Sequence, residues 1–170
     1  ENYSPEDKYF MLYLLTNHHT SQLGVYHLSK KFASFEMGYS IETINVLLDR
    51  FQNKYHAIIY NHETGEIAIL NYLLYSIVKG GEPIYNQLLR EANNVRDINL
   101  VMAVLKRADG VVKNETVQQF INTFKNNNAN ANANANANAV SNADSYIDSY
   151  TESYHDSQIP VSKPNPKRKT

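Results

Sequence analysis

The sequence predicts a mainly α-helical chain with one small β-hairpin and a long low-complexity tail, and three observations predict it. Apolar residues recur at helical spacing through most of residues 1–125. Two short β-branched runs flank a five-residue loop that ends in glycine, Asn61-His62-Glu63-Thr64-Gly65. After residue 125 the large aliphatic side chains are reduced to Val140, Ile147, Ile159 and Val161, too few to offset chain entropy.

The elements follow in order. Ser4-Pro5-Glu6-Asp7 reads as a helix start, with Ser4 as cap, Pro5 in the first turn and Asp7 as the capping-box acid. Phe10 with Leu14 and Met11 with Leu15 give that helix its period, and Thr16-Asn17-His18-His19 ends it. Gly24-Val25-Tyr26 is a short extended segment. Ser29 caps a second, shorter helix through Phe32, Phe35 and Met37, closed by a left-handed Gly38. Ser40 caps a third, whose stripe of Ile41, Ile44, Leu47, Leu48, Phe51 and Tyr55 forms one face. Ala57-Ile58-Ile59-Tyr60 and Glu66-Ile67-Ala68-Ile69-Leu70 make the hairpin. Helix, short strand, helix, tight turn, helix and hairpin is the order of a winged helix-turn-helix, here residues 1–79.

Gly80-Gly81 breaks the chain, and residues 80–125 form a helical extension. Pro83 opens a helix with Ile84, Leu88, Ala92 and Val95 on one stripe, Asp97 caps the next, and Asn114 caps a third carrying Val117, Phe120, Ile121 and Phe124. The extension is expected to pack on the winged helix or on another copy. Residues 126–170 read as a disordered low-complexity linker. They hold an Asn-Ala repeat, then three Ser-Tyr-x-Asp/Glu units at Tyr146, Tyr150 and Tyr154, and a basic end at Lys167-Arg168-Lys169.

Composition excludes several classes. No cysteine means no disulfide framework and no thiolate metal site. No run of 18 apolar residues is present to span a membrane. The chain opens on Glu1 with no signal peptide, which reads as a fragment or processed product. The net charge is −1, but residues 1–75 hold five Lys/Arg against eight Asp/Glu, a net of −3. A dedicated nucleic-acid binder usually shows a basic face instead.

Three ordered blocks carry a resemblance to a known family: Ser4-Pro5-Glu6-Asp7-Lys8-Tyr9-Phe10 with Tyr13-Leu14-Leu15-Thr16-Asn17; Gly24-Val25-Tyr26 with Leu28-Ser29-Lys30-Lys31; and Gly38-Tyr39-Ser40-Ile41-Glu42-Thr43-Ile44 with Leu47-Leu48-Asp49-Arg50-Phe51. Over roughly residues 3–75 the chain resembles the amino-terminal domain of phage replisome organisers, relatives of the DnaD-like replication initiation proteins. The resemblance implies a DNA-binding replication initiator in the cytoplasm of a bacterial host. Its partners would be double-stranded origin DNA, the host's replicative helicase or helicase loader, and further copies of itself. Where members of the family carry a tryptophan after the wing, this chain has Asn71-Tyr72-Leu73.

Under that reading the third helix is the recognition helix. With its stripe inward, Glu42, Thr43, Val46, Asp49, Arg50 and Asn53 point outward, and Ser40, Asn45 and Lys54 flank them. Thr43 and Asn45 are placed to read base edges, Arg50 and Lys54 to hold phosphates. Lys30 and Lys31 start the second helix beside the backbone, and Asn61 and His62 sit at the wing tip. Glu42 and Asp49 argue for the opposite reading, a solvated or protein-facing surface in which the winged helix is a self-assembly module. A transcriptional regulator rests on fold analogy alone. His18-His19, His27, His56 and His62 lack metal-ligand spacing, Gly80-Gly81 lacks a phosphate-loop lysine, and no nucleophile–base arrangement stands out. We therefore expect no enzyme, no cofactor and no metal.

Overall fold

The computed structural model describes residues 3–133. Its elements are α1 (Pro5–Thr16), β1 (Val25–His27), α2 (Lys30–Met37), α3 (Ile41–Asp49) continued by a π-helical turn (Arg50–Lys54), β2 (Ile58–Asn61), β3 (Glu66–Ile69), α4 (Leu73–Ser76), α5 (Glu82–Asn94), α6 (Ile98–Ala108) and α7 (Glu115–Ala133). The chain is mainly helical with a small antiparallel sheet in the order β1-β3-β2. The order is that of a winged helix followed by a helical extension.

Local chemistry sets the boundaries. The Ser4 hydroxyl accepts from the Asp7 N–H at 3.2 Å while the Asp7 carboxylate accepts from the Ser4 N–H at 3.0 Å, a complete capping box. At α2, α3 and α6 the side chains of Ser29, Ser40 and Asp97 accept from the N–H groups of Phe32, Thr43 and Asn99, without the reciprocal half of a box. Asn114 accepts from the N–H groups of Thr116 and Val117 at the head of α7. Gly38 leaves α2 at φ 69°, a left-handed value that suits glycine. Gly24 is demanded twice: its φ is +80°, and a Cβ there would stand 2.6 Å from the Cβ of Tyr72.

β3 is the central strand and all four of its residues are buried. On one face Tyr26, Leu28, Ile58, Tyr60, Ile67 and Ile69 join Phe10, Leu14, Ile44, Leu47, Leu48 and Phe51 in the winged-helix core. On the other face Val25 and Ala68, with Leu23 and Leu73, join Leu88, Leu100, Val101, Val104, Phe120 and Ile121. The extension therefore packs on the back of the sheet. Two carboxylates tie the halves. Buried Glu66 accepts from the N–H groups of Arg96 and Asp97 at 2.8 and 3.0 Å, where α6 begins. Glu91 on α5 accepts from those of Gln22 and Leu23 at 3.2 and 2.9 Å, before β1.

Three expectations change. Ile41, placed on the buried stripe by spacing, is 39% exposed. The helix expected to stop near Lys125 runs to Ala133, so the boundary at 126 falls inside α7. Val117, Phe120, Ile121 and Phe124 dock its first turns, and a docked helix propagates cheaply into an alanine-containing stretch. The rest of the expected tail, with the Ser-Tyr repeats and the basic end, lies outside the described residues.

The third change is the π turn, where the Tyr55 N–H bonds to the Arg50 carbonyl at 3.1 Å. In a regular helix residues five apart would diverge by about 140°. The wider turn narrows that angle, and Arg50 and Tyr55 reach one carboxylate, that of Asp7.

Candidate nucleic-acid interface

The surface that a winged helix offers to DNA is made by the start of α2, the outward side of α3 and the β2–β3 loop. At its wing end, period-two alternation along β2 puts Tyr60 and His62 on one side, and their rings stand edge to face at 5.0 Å. The Ser29 cap starts α2 beside them. The Lys30 ammonium lies 3.2 Å from His62 Nδ1 and 5.0 Å over the Tyr60 ring. Two residues that the sequence proposed separately are thus one cationic cluster, seated on a tyrosine that the sequence reading had assigned only to a strand. Lys31 does not join it. Its side chain is exposed on the outer side of α2.

Asn61 points the other way. Its amide donates to Asp97 at 2.7 Å, and its carbonyl accepts from the N–H groups of Glu63 and Thr64. It shapes the wing loop and binds it to α6, so it is not an exposed tip residue. Beyond it, a cleft of about 350 Å³ opens between β2 and α6, lined in part by Gln52, Tyr60, Asp97 and Asn99.

On α3 the sequence reading is corrected most. Arg50 does not face outward: its guanidinium donates to the Asp7 carboxylate at 2.7 Å. Asp7 is 1% exposed and also accepts from the Tyr55 hydroxyl at 2.7 Å. Burial pushes this carboxyl up, but the bonds from Tyr55, Ser4 and Arg50 outweigh it and draw it down to about 2. Arg50 is thus committed to neutralising a buried anion. Nothing in the spacing announced this, because Asp7 had a sufficient reason to exist as a capping residue.

The other members are distributed along the helix. The Ser40 hydroxyl accepts from the Thr43 N–H and stands 3.1 Å from the Thr43 hydroxyl, so both serve the cap. Asn45 is exposed. Asn53 is exposed, with its amide bound to Asp49 at 2.6 Å. Lys54 is exposed, its ammonium 5.1 Å over the Tyr55 ring. Between them stand exposed Glu42 and Asp49, with Val46 55% exposed. Hydrogen bonds from its own backbone N–H and from Ser40 hold the Glu42 carboxyl below its usual range, and so ionised. The middle of α3 repels phosphate, while the cations sit at the two ends of the surface: Lys30 with His62 by the wing, and Lys54 at the π turn.

Among the described residues no group of three histidines, acids or cysteines gathers as a metal site, and no helix is long and apolar enough to cross a membrane. No family model, curated protein or solved structure matches the chain.

Proposed function

We propose that this chain is the winged-helix part of a replication initiator of the phage replisome-organiser kind, which binds double-stranded origin DNA and presents helicase-loading proteins of the host to it. The observation that carries the DNA-binding step is the cluster of Lys30 and His62 over Tyr60 at the wing. It supplies a phosphate contact at one end of the surface, and Lys54 supplies another at the far end of α3. Between them Asn45 is the exposed amide able to pair with a base edge. Backbone contacts fix the register and Asn45 discriminates. Arg50 and Asn61 have no part in this, because both are bound within the fold. With so few cations, affinity per copy is low and its log–log salt slope is shallow, about −1.8 for two phosphate contacts.

The test is a salt series of fluorescence anisotropy on the full chain, with a duplex from its own replication region. Lys30→Ala and Lys54→Ala should each flatten the log–log salt slope by about 0.9. Asn45→Ala should lose discrimination against competitor DNA while keeping the slope. Unchanged slopes in both lysine variants, with binding abolished by deleting residues 134–170, would refute the assignment. Capture of a purified helicase loader by the full chain tests the second step.

The acidic, partly apolar middle of α3 favours a second reading, in which this face meets protein and the module assembles without touching DNA. It predicts no DNA binding at low salt.

A further inference from the structure

On the extension, two connections far apart in sequence converge on one cleft. Leu74 and Ile77 at α4, with Val111 and Val112 from the turn between α6 and α7, wall a space of about 480 Å³. That volume falls among ligand clefts, which run to about 300–1,000 Å³. Its mouth is apolar as well: Tyr75 is 79% exposed, Val78 88% and Val111 62%. Single exposed apolar residues are ordinary, but three around one opening mark a contact surface. The charge beside it is positive. Lys113 lines the cleft and Lys79 follows Val78; both are exposed, and neither makes a hydrogen bond or ion pair among the described residues. Among the described residues no carboxylate lines the cleft, Glu82 and Glu115 standing outside it at the starts of α5 and α7. The extension shares this sign: residues 76–125 hold seven Lys/Arg against five Asp/Glu, a net of +2, where residues 1–75 come to −3.

The chain's own sequence supplies the complement. Residues 145–156, outside the described residues, are three copies of Ser-Tyr-x-Asp/Glu: Tyr146, Tyr150 and Tyr154 are each followed two positions on by Asp148, Glu152 or Asp156, with no Lys or Arg between. In an extended chain residues two apart project to one side, so a ring and a carboxylate arrive together at an apolar slot beside a lysine. The other apolar part of the tail, Ile159-Pro160-Val161, is joined to Lys163, Lys167, Arg168 and Lys169, which the lysines at the cleft repel. The reach suffices. From Asn114 at the cleft to Ala133 the helical rise is about 28 Å. Residues 134–145 can span about 40 Å when extended. Successive tyrosines of the repeat then stand about 13 Å apart, so the cleft seats one ring at a time and the three copies offer equivalent registers.

We propose that the cleft between α4 and the α6–α7 turn binds one Ser-Tyr-x-Asp/Glu unit from residues 145–156 of the same chain. The tyrosine ring enters the cleft, and the acid pairs with Lys113 or Lys79 at its edge. A short tether holds such a segment at about a millimolar, so a contact too weak to last between separate molecules is kept within one. The proposal is independent of DNA binding, and its test contains no DNA.

The probe is a fluorescein-labelled peptide of residues 145–156, followed by anisotropy against three full-length chains: the parent, a chain with Tyr146→Ser, Tyr150→Ser and Tyr154→Ser, and that serine chain with Val78→Asp and Lys113→Glu added. Val78 and Lys113 are both exposed, so the added changes leave the core intact. The serine chain, its cleft empty, should bind the peptide. The parent should bind it about tenfold more weakly, for a peptide Kd of about 0.1 mM against a tethered concentration of about 1 mM. The chain altered at the cleft should not bind, nor should a peptide with its tyrosines replaced by serine bind the serine chain. Equal binding to parent and serine chain, binding to neither, or undiminished binding to the chain altered at the cleft would each overturn the proposal. So would a block in the parent that fades on dilution, which would make the occupant a second copy's repeat.

Discussion

Arg50→Ala is the change that most sharply separates the sequence reading from the structure. As a phosphate contact, Arg50 would be dispensable for folding and its loss would weaken every DNA complex. As found, it neutralises Asp7, which is 1% exposed while the arginine itself is 34% exposed. Removing one partner of a fully buried pair costs about 3–5 kcal/mol. Here the arginine is partly solvated and Asp7 keeps the Tyr55 and Ser4 donors, so about 2 kcal/mol is expected, near that of one charged hydrogen bond. For a domain of this size that lowers the melting temperature by about 8 °C. The pH dependence has a definite sign. Asp7 has a depressed folded-state pKa of about 2, so its stabilisation is present above the unfolded value near 4 and lost as pH falls through about 2. The gap between parent and variant should be widest near neutrality and close between about pH 4 and 2. Calorimetry across pH measures it. A variant with an unchanged melting temperature and a flatter salt slope for DNA would refute the assignment and return Arg50 to the interface.

Two further predictions concern the scaffold. Leu48→Asp forces an uncompensated charge into the winged-helix core, where Leu48 is 3% exposed, and should cost more than about 4 kcal/mol, seen as lost helical circular dichroism. A cooperative melt like that of the parent would contradict the packing. Glu66→Gln keeps one acceptor but removes the charge that holds the Arg96 and Asp97 N–H groups, at about 1–2 kcal/mol. Amide exchange should quicken at the start of α6 and stay unchanged in α1; protection equal to the parent's would show that the joint is held by apolar packing alone.

What the sequence made legible were features written in a few adjacent residues. Ser4 with Asp7, Ser29, Ser40, Asp97 and Asn114 all cap the helices their positions announce. The stripe of α3 apart from Ile41, that of α7 and the glycine-closed hairpin were readable for the same reason, since period and turn chemistry are local. Long-range relations were not. The pairing of Val25 with Ala68 depends on residues far apart in the chain, and nothing near Val25 specifies its partner. The π turn at Arg50–Lys54 has no compositional mark, although it decides where Arg50 points. Alternation put Tyr60 and His62 on one side, yet only the fold brings Lys30 over both. Phe32 and Phe35 lie at helical spacing, but spacing does not say which side of α2 turns inward, and that side is set by Ala33 and Met37.

The double burial of β3 bears on how the protein comes into being. As the chain leaves the ribosome, β1 waits with an unpaired edge until residues 66–69 have been made, since its partner is β3 and not a neighbour. When β3 arrives it completes the winged helix, but the back of the sheet, with Val25, Ala68, Leu23 and Leu73, still faces water. That surface is covered only when the extension follows, with α6 lying on β1 and β3. A chain ended at residue 79 would carry this patch into solution and invite aggregation or chaperone capture. The glycine pair at Gly80-Gly81 is a joint in sequence alone, and the smallest unit that can be made and kept is the winged helix together with its extension.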